Sequence, residues 1–219
     1  MINPINILDV CYSIALILSG IVGVVRFHTI DKATKIVCLW IWLGGITELL
    51  ASFLRFNSGN NLPVYSVYSL IELCIIAMYF NVSLKYIKKQ HAGIFIIITS
   101  ILLWVGNTIF LQPINVINSN FIFIECLFIV SLSLYAIYRR FLIYDESLIP
   151  NTHFWIPCIL VLYQLGTLWN WGFYEYFFDR SPENTDILII AILGINILTY
   201  ISFTTILIQY PKMKRSHVF

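Results

Sequence analysis

The chain has 219 residues, of which 59% are hydrophobic and 11% are charged, with a net charge of +2 and a mean hydropathy of +0.85. A soluble domain carries about 25% charged residues, and its surface cannot cover this much apolar side chain. These values exclude an ordinary soluble fold, and the small net charge argues against a nucleic-acid partner. A lipid bilayer is the expected environment.

Seven apolar stretches are long enough to cross a bilayer, which takes about 20 residues in a helix. Because the backbone of a segment in lipid must satisfy its own hydrogen bonds, these spans are expected to be helical. The sequence therefore predicts an all-α polytopic membrane protein, with one seven-transmembrane-helix bundle over residues 1–219. In chain order, the predicted spans run roughly over residues 5–25, 34–54, 64–84, 92–111, 118–138, 153–174 and 187–209.

The distribution of lysine and arginine predicts the orientation, because cytoplasmic loops are enriched in both residues. One set of alternate loops contains only Arg55 and Arg180. The other set, with the C-terminal tail, contains eleven basic residues: Arg26, Lys32, Lys35, Lys85, Lys88, Lys89, Arg139, Arg140, Lys212, Lys214 and Arg215. We expect the N-terminus outside and the C-terminus in the cytoplasm. Abundant isoleucine, asparagine, phenylalanine and tyrosine favour a bacterial inner membrane.

Four carboxylates lie within the predicted spans: Asp9, Glu48, Glu72 and Glu125. A charged side chain at the bilayer centre costs roughly 2.5–3.5 kcal/mol, so such residues usually face the bundle interior and mark a functional site. In the predicted orientation all four fall in the outer half of the membrane. Helical spacing adds polar partners from spans three, six and seven. The predicted ligand-binding set of an outward-opening pocket is Asp9, Glu48, Tyr68, Glu72, Glu125, Gln164 and Asn196.

A purely structural interpretation of the same carboxylates stays open. A buried glutamate can be protonated and can hydrogen-bond to a neighbouring helix, where it only holds the helices together. Arg55 lies seven residues after Glu48, so the two side chains fall on one helical face and can pair near the outer interface.

A short repeat relates two of these acids. The segment from Ser66 to Glu72 and the segment from Ser119 to Glu125 both match the pattern S-x-aromatic-x-x-I-E. Each is expected to open a helix that runs inward. The repeat predicts a pseudo-symmetric pair of glutamates in two related hairpins, as internal repeats of transporters often have.

The sequence contains no H-E-x-x-H, G-x-S-x-G or Gly-rich phosphate-loop motif. Its five cysteines match no CxxC or zinc spacing and are expected to pack as small apolar residues. We expect no cofactor, we leave a metal open, and the sequence favours a protein that is not an enzyme.

The pocket predicts a membrane protein that binds a small solute, a cation or a proton, as a transporter or as a sensor subunit. Expected partners are the bilayer, this ligand, a cytoplasmic protein at the basic tail, and further copies of the chain. The alternative is a non-enzymatic membrane effector or interaction protein, for example an oligomeric component of a bacterial defence system. Such a protein needs no catalytic motif and no soluble domain.

Overall fold

The computed structural model describes residues 4–143, 151–180 and 182–210, except for the side chains of residues 143, 172–180 and 182–184. Within these ranges the chain forms helices and no strands, which confirms the all-α prediction. In chain order the helices are α1 (Pro4–Arg26), α2 (Lys32–Ser58), α3 (Leu62–Ser83), α4 (Lys85–Lys89), α5 (Ala92–Phe110), α6 (Ser119–Ile143), α7 (Thr152–Arg180) and α8 (Pro182–Gln209).

Six segments of the described chain are long and apolar enough to cross a membrane. They match six of the seven predicted spans to within a few residues at most ends: Pro4–Arg26, Lys32–Ser58, Leu62–Ser83, Ala92–Phe110, Ser119–Leu142 and Thr185–Gln209. The fold is that of a multi-pass helical membrane protein.

The predicted span 153–174 lies within α7, which has 29 residues but is not among these six. Gln164 and Asn170 interrupt its apolar stretch, and Pro157 lies inside the helix. The seventh span and the orientation therefore stay predictions. Of the basic residues behind the orientation, the three in the tail lie outside the described residues, as does the side chain of Arg180.

Large apolar side chains cover the outer faces of the helices, as a lipid environment requires. On α5, Phe95 is 71% exposed and Phe110 is 81% exposed. The exposed residues of α1 form a similar surface and comprise Ile7, Val10, Ile14, Ile17, Leu18, Ile21, Val24 and Val25. Contiguous apolar surface of this extent is not found on soluble monomers.

The described chain divides into two compact units. In the unit formed by residues 30–132, which we call the carboxylate unit, α3 packs against both α2 and α5. The contact between α3 and α5 is close at Gly93, where an added Cβ would lie 2.5 Å from Cβ of Asn81 and 3.0 Å from the carbonyl oxygen of Ala77. A side chain at Gly93 would push the two helices apart.

The other unit contains α1, α7, α8 and the part of α6 that follows Leu132, and we call it the terminal unit. Here α8 packs against α1 and α7. The rings of Tyr12 and Tyr200 lie 5.8 Å apart between α1 and α8. Asn170 of α7 donates a hydrogen bond of 2.6 Å to the carbonyl oxygen of Leu188 in α8. This bond gives a buried amide of α7 a partner in the neighbouring helix.

Candidate functional site

Two of the predicted site residues are buried in the carboxylate unit. Glu72 is in the middle of α3 and Glu125 is in the first two turns of α6, and each side chain is only 4% exposed. The Glu125 carboxyl group interacts electrostatically with Glu72 and with the thiol of Cys74. We call Glu72 and Glu125 the carboxylate pair. The two acids that the repeat relates are thus both buried, and they interact electrostatically.

One oxygen of this pair has no hydrogen bond. The Oε1 atom of Glu125 is buried and has no hydrogen-bond partner in the part of the chain that the structure describes. A buried acceptor left in this way costs about 1–3 kcal/mol, and more when the group is charged. An added proton or cation would offset this cost, because it would supply the positive charge or the donor that the oxygen lacks.

The third acid of this unit has a partner of its own. Glu48 of α2 is half-buried, and its Oε2 accepts a hydrogen bond of 3.1 Å from the hydroxyl of Tyr65 in α3. Tyr68 is half-buried one turn further along α3. Arg55, the predicted neighbour of Glu48 on one helical face, is exposed. Glu48 is therefore fixed to α3 by a tyrosine.

The remaining three predicted residues belong to the terminal unit. Asp9 is exposed on α1, Gln164 is 1% exposed within α7, and Asn196 is half-buried in α8. Their membership of one pocket with the carboxylate pair stays a prediction.

A hydrogen-bonded network of amide side chains, which was not predicted from the sequence, lies at the N-terminal end of α6. Nδ2 of Asn118 donates to Oγ of Ser66 in α3 at 3.1 Å, and Oδ1 of Asn118 accepts from Nδ2 of Asn107 in α5. Nε2 of Gln112 donates to Oγ of Ser119 at 2.8 Å. We call Ser66, Asn107, Gln112, Asn118, Ser119 and Asn120 the amide network.

The network joins the same helices that carry the carboxylate pair. In addition to these bonds, Nε1 of Trp104 in α5 donates to the carbonyl oxygen of Ser66 in α3 at 2.9 Å. A signal for the network exists in the sequence, since five amide residues fall from position 107 to position 120, where one span ends and the next begins. A search for helical periodicity does not find them, because three of the five lie between the helices.

A second buried polar cluster lies in the terminal unit. Arg140 was predicted to lie in a cytoplasmic loop. It belongs instead to α6 and is 6% exposed. Its Nη1 atom donates to Oδ1 of Asn151 at 3.4 Å, and the same oxygen accepts from the backbone N–H of His153 at 3.0 Å. Asn151 thereby joins the end of α6 to the beginning of α7.

The chemistry available at the carboxylate pair is limited by its neighbours. Across the described ranges no group of three or more histidine, cysteine, aspartate or glutamate side chains is arranged to hold a metal ion. Two carboxyl groups with thiols beside them can bind and release a proton, or can attract a cationic group.

Comparison of the chain with protein-family models, with curated proteins and with solved structures finds no match.

Proposed function

We propose that this multi-pass membrane protein binds a proton, a cation or a small cationic solute at the carboxylate pair, as a transporter or as a sensor subunit. The observation that carries the proposal is the burial of Glu72 and Glu125, which interact electrostatically, with Oε1 of Glu125 lacking a hydrogen bond. In the amide network, by contrast, the side chains of Asn107 and Asn118 have hydrogen-bond partners.

The negative charge of two ionised carboxyl groups favours a positively charged ligand. Two ionised carboxylates buried side by side repel each other, and each has lost most of its hydration. A positive charge between them offsets both effects, whereas an anion adds to the repulsion. The ligand is therefore cationic when bound.

The predicted topology gives the site its direction. With seven spans and the N-terminus outside, α3 and α6 both run inward, and the pair lies in the outer half of a bacterial inner membrane. Glu48 and Tyr68 flank the pair within the carboxylate unit. Asp9, Gln164 and Asn196 are the other predicted members of the ligand-binding set.

The test is ligand-dependent stability of the purified protein in detergent. The thermal midpoint is measured near pH 8 for the wild type and for the Glu72→Gln/Glu125→Gln double variant, with and without a panel of metal cations and amines. A ligand that binds only the folded state adds about 2.7 kcal/mol at a concentration of 100 Kd. We expect a rise in the midpoint of the wild type and no response of the double variant.

Asp186→Asn is the matched control, because it also converts one carboxylate to an amide and Asp186 is exposed on α8. It should respond to ligands as the wild type does. Lowering the pH over the range of about pH 8 to about pH 5 repeats the comparison with protons as the ligand. If the wild type and the double variant respond alike to every cation and to pH, the pair is not a binding site and a membrane effector becomes the better interpretation.

A further inference from the structure

We propose that the short helix α4 binds the phosphate groups of anionic phospholipids. None of its residues belongs to the carboxylate pair. The α4 helix joins α3 to α5, and both of these helices are long and apolar enough to cross a membrane. A five-residue helix between two spans lies where the chain leaves the bilayer, which is the cytoplasmic surface in the predicted topology. Phospholipid headgroups are therefore the immediate neighbours of α4.

The side chains of α4 are divided between two opposite faces. Lys85, Lys88 and Lys89 are exposed, and their spacing of three and four residues places them on one helical face. Ile87 lies on the opposite face and is only 4% exposed. Its burial anchors α4 against α3 and α5, with which α4 is in contact. The three ammonium groups therefore point away from the carboxylate unit.

Backbone hydrogen bonds hold the lysines on a folded segment. The N–H of Lys88 donates to the carbonyl oxygen of Leu84 at 3.0 Å, and the N–H of Gln90 donates to that of Tyr86 at 3.2 Å. His91 follows with a φ of 54°, in the left-handed region that histidine tolerates better than most residues. The chain turns there into α5, which begins at the next residue. The positions of the three lysines relative to the two spans are therefore fixed by the fold.

This arrangement of like charges favours an anionic ligand. Positive charges three and four residues apart on a helix repel each other and destabilise it, and a helix of five residues has little stability of its own. An ammonium group has three donors and no acceptor. A phosphate group between the lysines supplies both the acceptor oxygens and the opposite charge, so it offsets the repulsion and forms charge-assisted hydrogen bonds.

No acidic residue lies near α4 in the sequence, since none occurs between Glu72 and Glu125. The beginning of α2 lies at the same end of the carboxylate unit as α4, because α2 leads through a short loop into α3 and packs against it. This end of α2 adds two further lysines, Lys32 and Lys35. Its acid, Asp31, accepts a backbone N–H in the first turn as the N-cap of α2. Positive charge therefore dominates this end of the unit.

Tyr86 favours a lipid over a soluble anion as the source of the phosphate. Its side chain is 51% exposed on the flank of α4, between the lysine face and the buried face. Tyrosine is enriched at the level of the headgroups, where its ring contacts apolar chains and its hydroxyl contacts water. Clusters of lysine directly beside a membrane span bind anionic lipids by charge. A free phosphate ion would contact the lysines but would gain nothing from the ring.

The experiment compares two lipids on the full chain, purified in a neutral detergent. Phosphatidylglycerol, which is anionic, and phosphatidylcholine with the same acyl chains are titrated in turn, and native mass spectrometry counts the bound lipids. A lysine near an anionic surface contributes about fivefold to affinity. We expect the wild type to bind phosphatidylglycerol at least about tenfold more tightly than phosphatidylcholine. Salt at about 0.5 M should reduce this preference, because it screens exposed charges.

Three triple variants locate the site. Replacing the lysines of α4 by glutamine removes three charges and should weaken phosphatidylglycerol binding by up to on the order of 100-fold, whereas replacing them by arginine should preserve the preference. Both variants keep Ile87 and thus the anchor of α4. The matched control removes the same number of positive charges from the C-terminal tail and should bind as the wild type does: Lys212→Gln/Lys214→Gln/Arg215→Gln. The comparison of the two lipids on the wild type needs no variant, so it stands even where a substitution prevents folding.

Three results would overturn the proposal. Equal binding of the two lipids by the wild type would leave the lysines with a role in orientation only. Equal losses for the α4 glutamine variant and the tail variant would make the attraction a diffuse property of all basic segments. Displacement of the bound lipid by inorganic phosphate at the same concentration would show a site for a small soluble anion.

Discussion

Two sets of buried polar groups in the carboxylate unit are equally hidden from solvent and differ in how their hydrogen bonds are satisfied. Asn107 and Asn118 are 5% and 4% exposed, and Glu72 and Glu125 are each 4% exposed. Both asparagines have side-chain partners in neighbouring helices or loops, whereas Oε1 of Glu125 has none. Burial alone therefore does not identify a functional site, and the feature that points to a cationic ligand is a buried acidic oxygen without a donor.

The two sets are connected by the repeated segment. Each copy begins with a serine in the amide network, Ser66 or Ser119, and ends six residues later with a glutamate of the pair. Six residues of helix rise about 9 Å at 1.5 Å per residue. The network thus fixes α3 against the beginning of α6 about two turns from the pair.

The largest effect is expected from Asn118→Ala, which removes the centre of the amide network. Oγ of Ser66 loses a buried donor, and Nδ2 of Asn107 keeps only its 3.4 Å hydrogen bond to Oε1 of Gln112. At about 1–2 kcal/mol for each broken buried hydrogen bond, the free energy of unfolding should fall by about 2–4 kcal/mol. Unfolding by a denaturing detergent, followed by circular dichroism, measures this change.

Asn115→Ala is the matched control for Asn118→Ala. Asn115 is exposed, and it enters a hydrogen bond with Asn60 through its backbone carbonyl oxygen, which the substitution keeps. Its free energy of unfolding should stay within about 0.5 kcal/mol of the wild type. Equal losses for the two variants would show that the network does not hold the helices together.

Substitution at the carboxylate pair should have the opposite sign. The Glu72→Leu/Glu125→Leu double variant replaces both buried carboxyl groups, including the Oε1 atom that has no hydrogen bond, by apolar groups of similar volume. Replacing buried charged groups by well-packed apolar residues is often neutral or stabilising by about 1–4 kcal/mol. We expect the thermal midpoint near pH 7 to rise, with a gain of about 1–2 kcal/mol. A loss of stability as large as that of Asn118→Ala would make Glu72 and Glu125 structural residues.

Much of the fold follows from the sequence, because lipid imposes a simple rule on the backbone. An apolar stretch of about 20 residues has to be helical, so six spans were predicted to within a few residues at most ends. The α7 helix shows the limit of this rule. Gln164 and Asn170 lower its mean hydropathy. Whether a polar residue of a helix faces lipid or protein depends on which helices pack beside it, and a hydropathy average along the sequence carries no information on that packing.

The candidate site likewise has a part that the sequence predicts and a part that depends on packing. Glu72 and Glu125 were predicted together because intramembrane carboxylates are rare and these two share a sequence repeat, and in the structure both are buried and interact electrostatically. The amide network was not predicted, because its bonds join residues from α3, α5 and α6 and the segment between the last two. Such partners become neighbours only through packing, for example through the close approach at Gly93, and a periodic pattern along one helix cannot show them.

The smallest effect distinguishes the two serines that begin the repeated segments. Ser66→Ala leaves Nδ2 of Asn118 without its acceptor inside the unit, where Ser66 is 4% exposed. Ser119→Ala removes the acceptor of Gln112, but both residues are half-buried at a helix end, where water can replace the lost partner. Hydrogen bonds between side chains in membrane proteins average about 0.6 kcal/mol and reach about 1.7 kcal/mol. We therefore expect a loss of about 1 kcal/mol for Ser66→Ala and less than about 0.5 kcal/mol for Ser119→Ala, measured by the same detergent unfolding. Equal losses of free energy would mean that the two serines contribute equally to stability, and that the two copies of the segment have the same structural role.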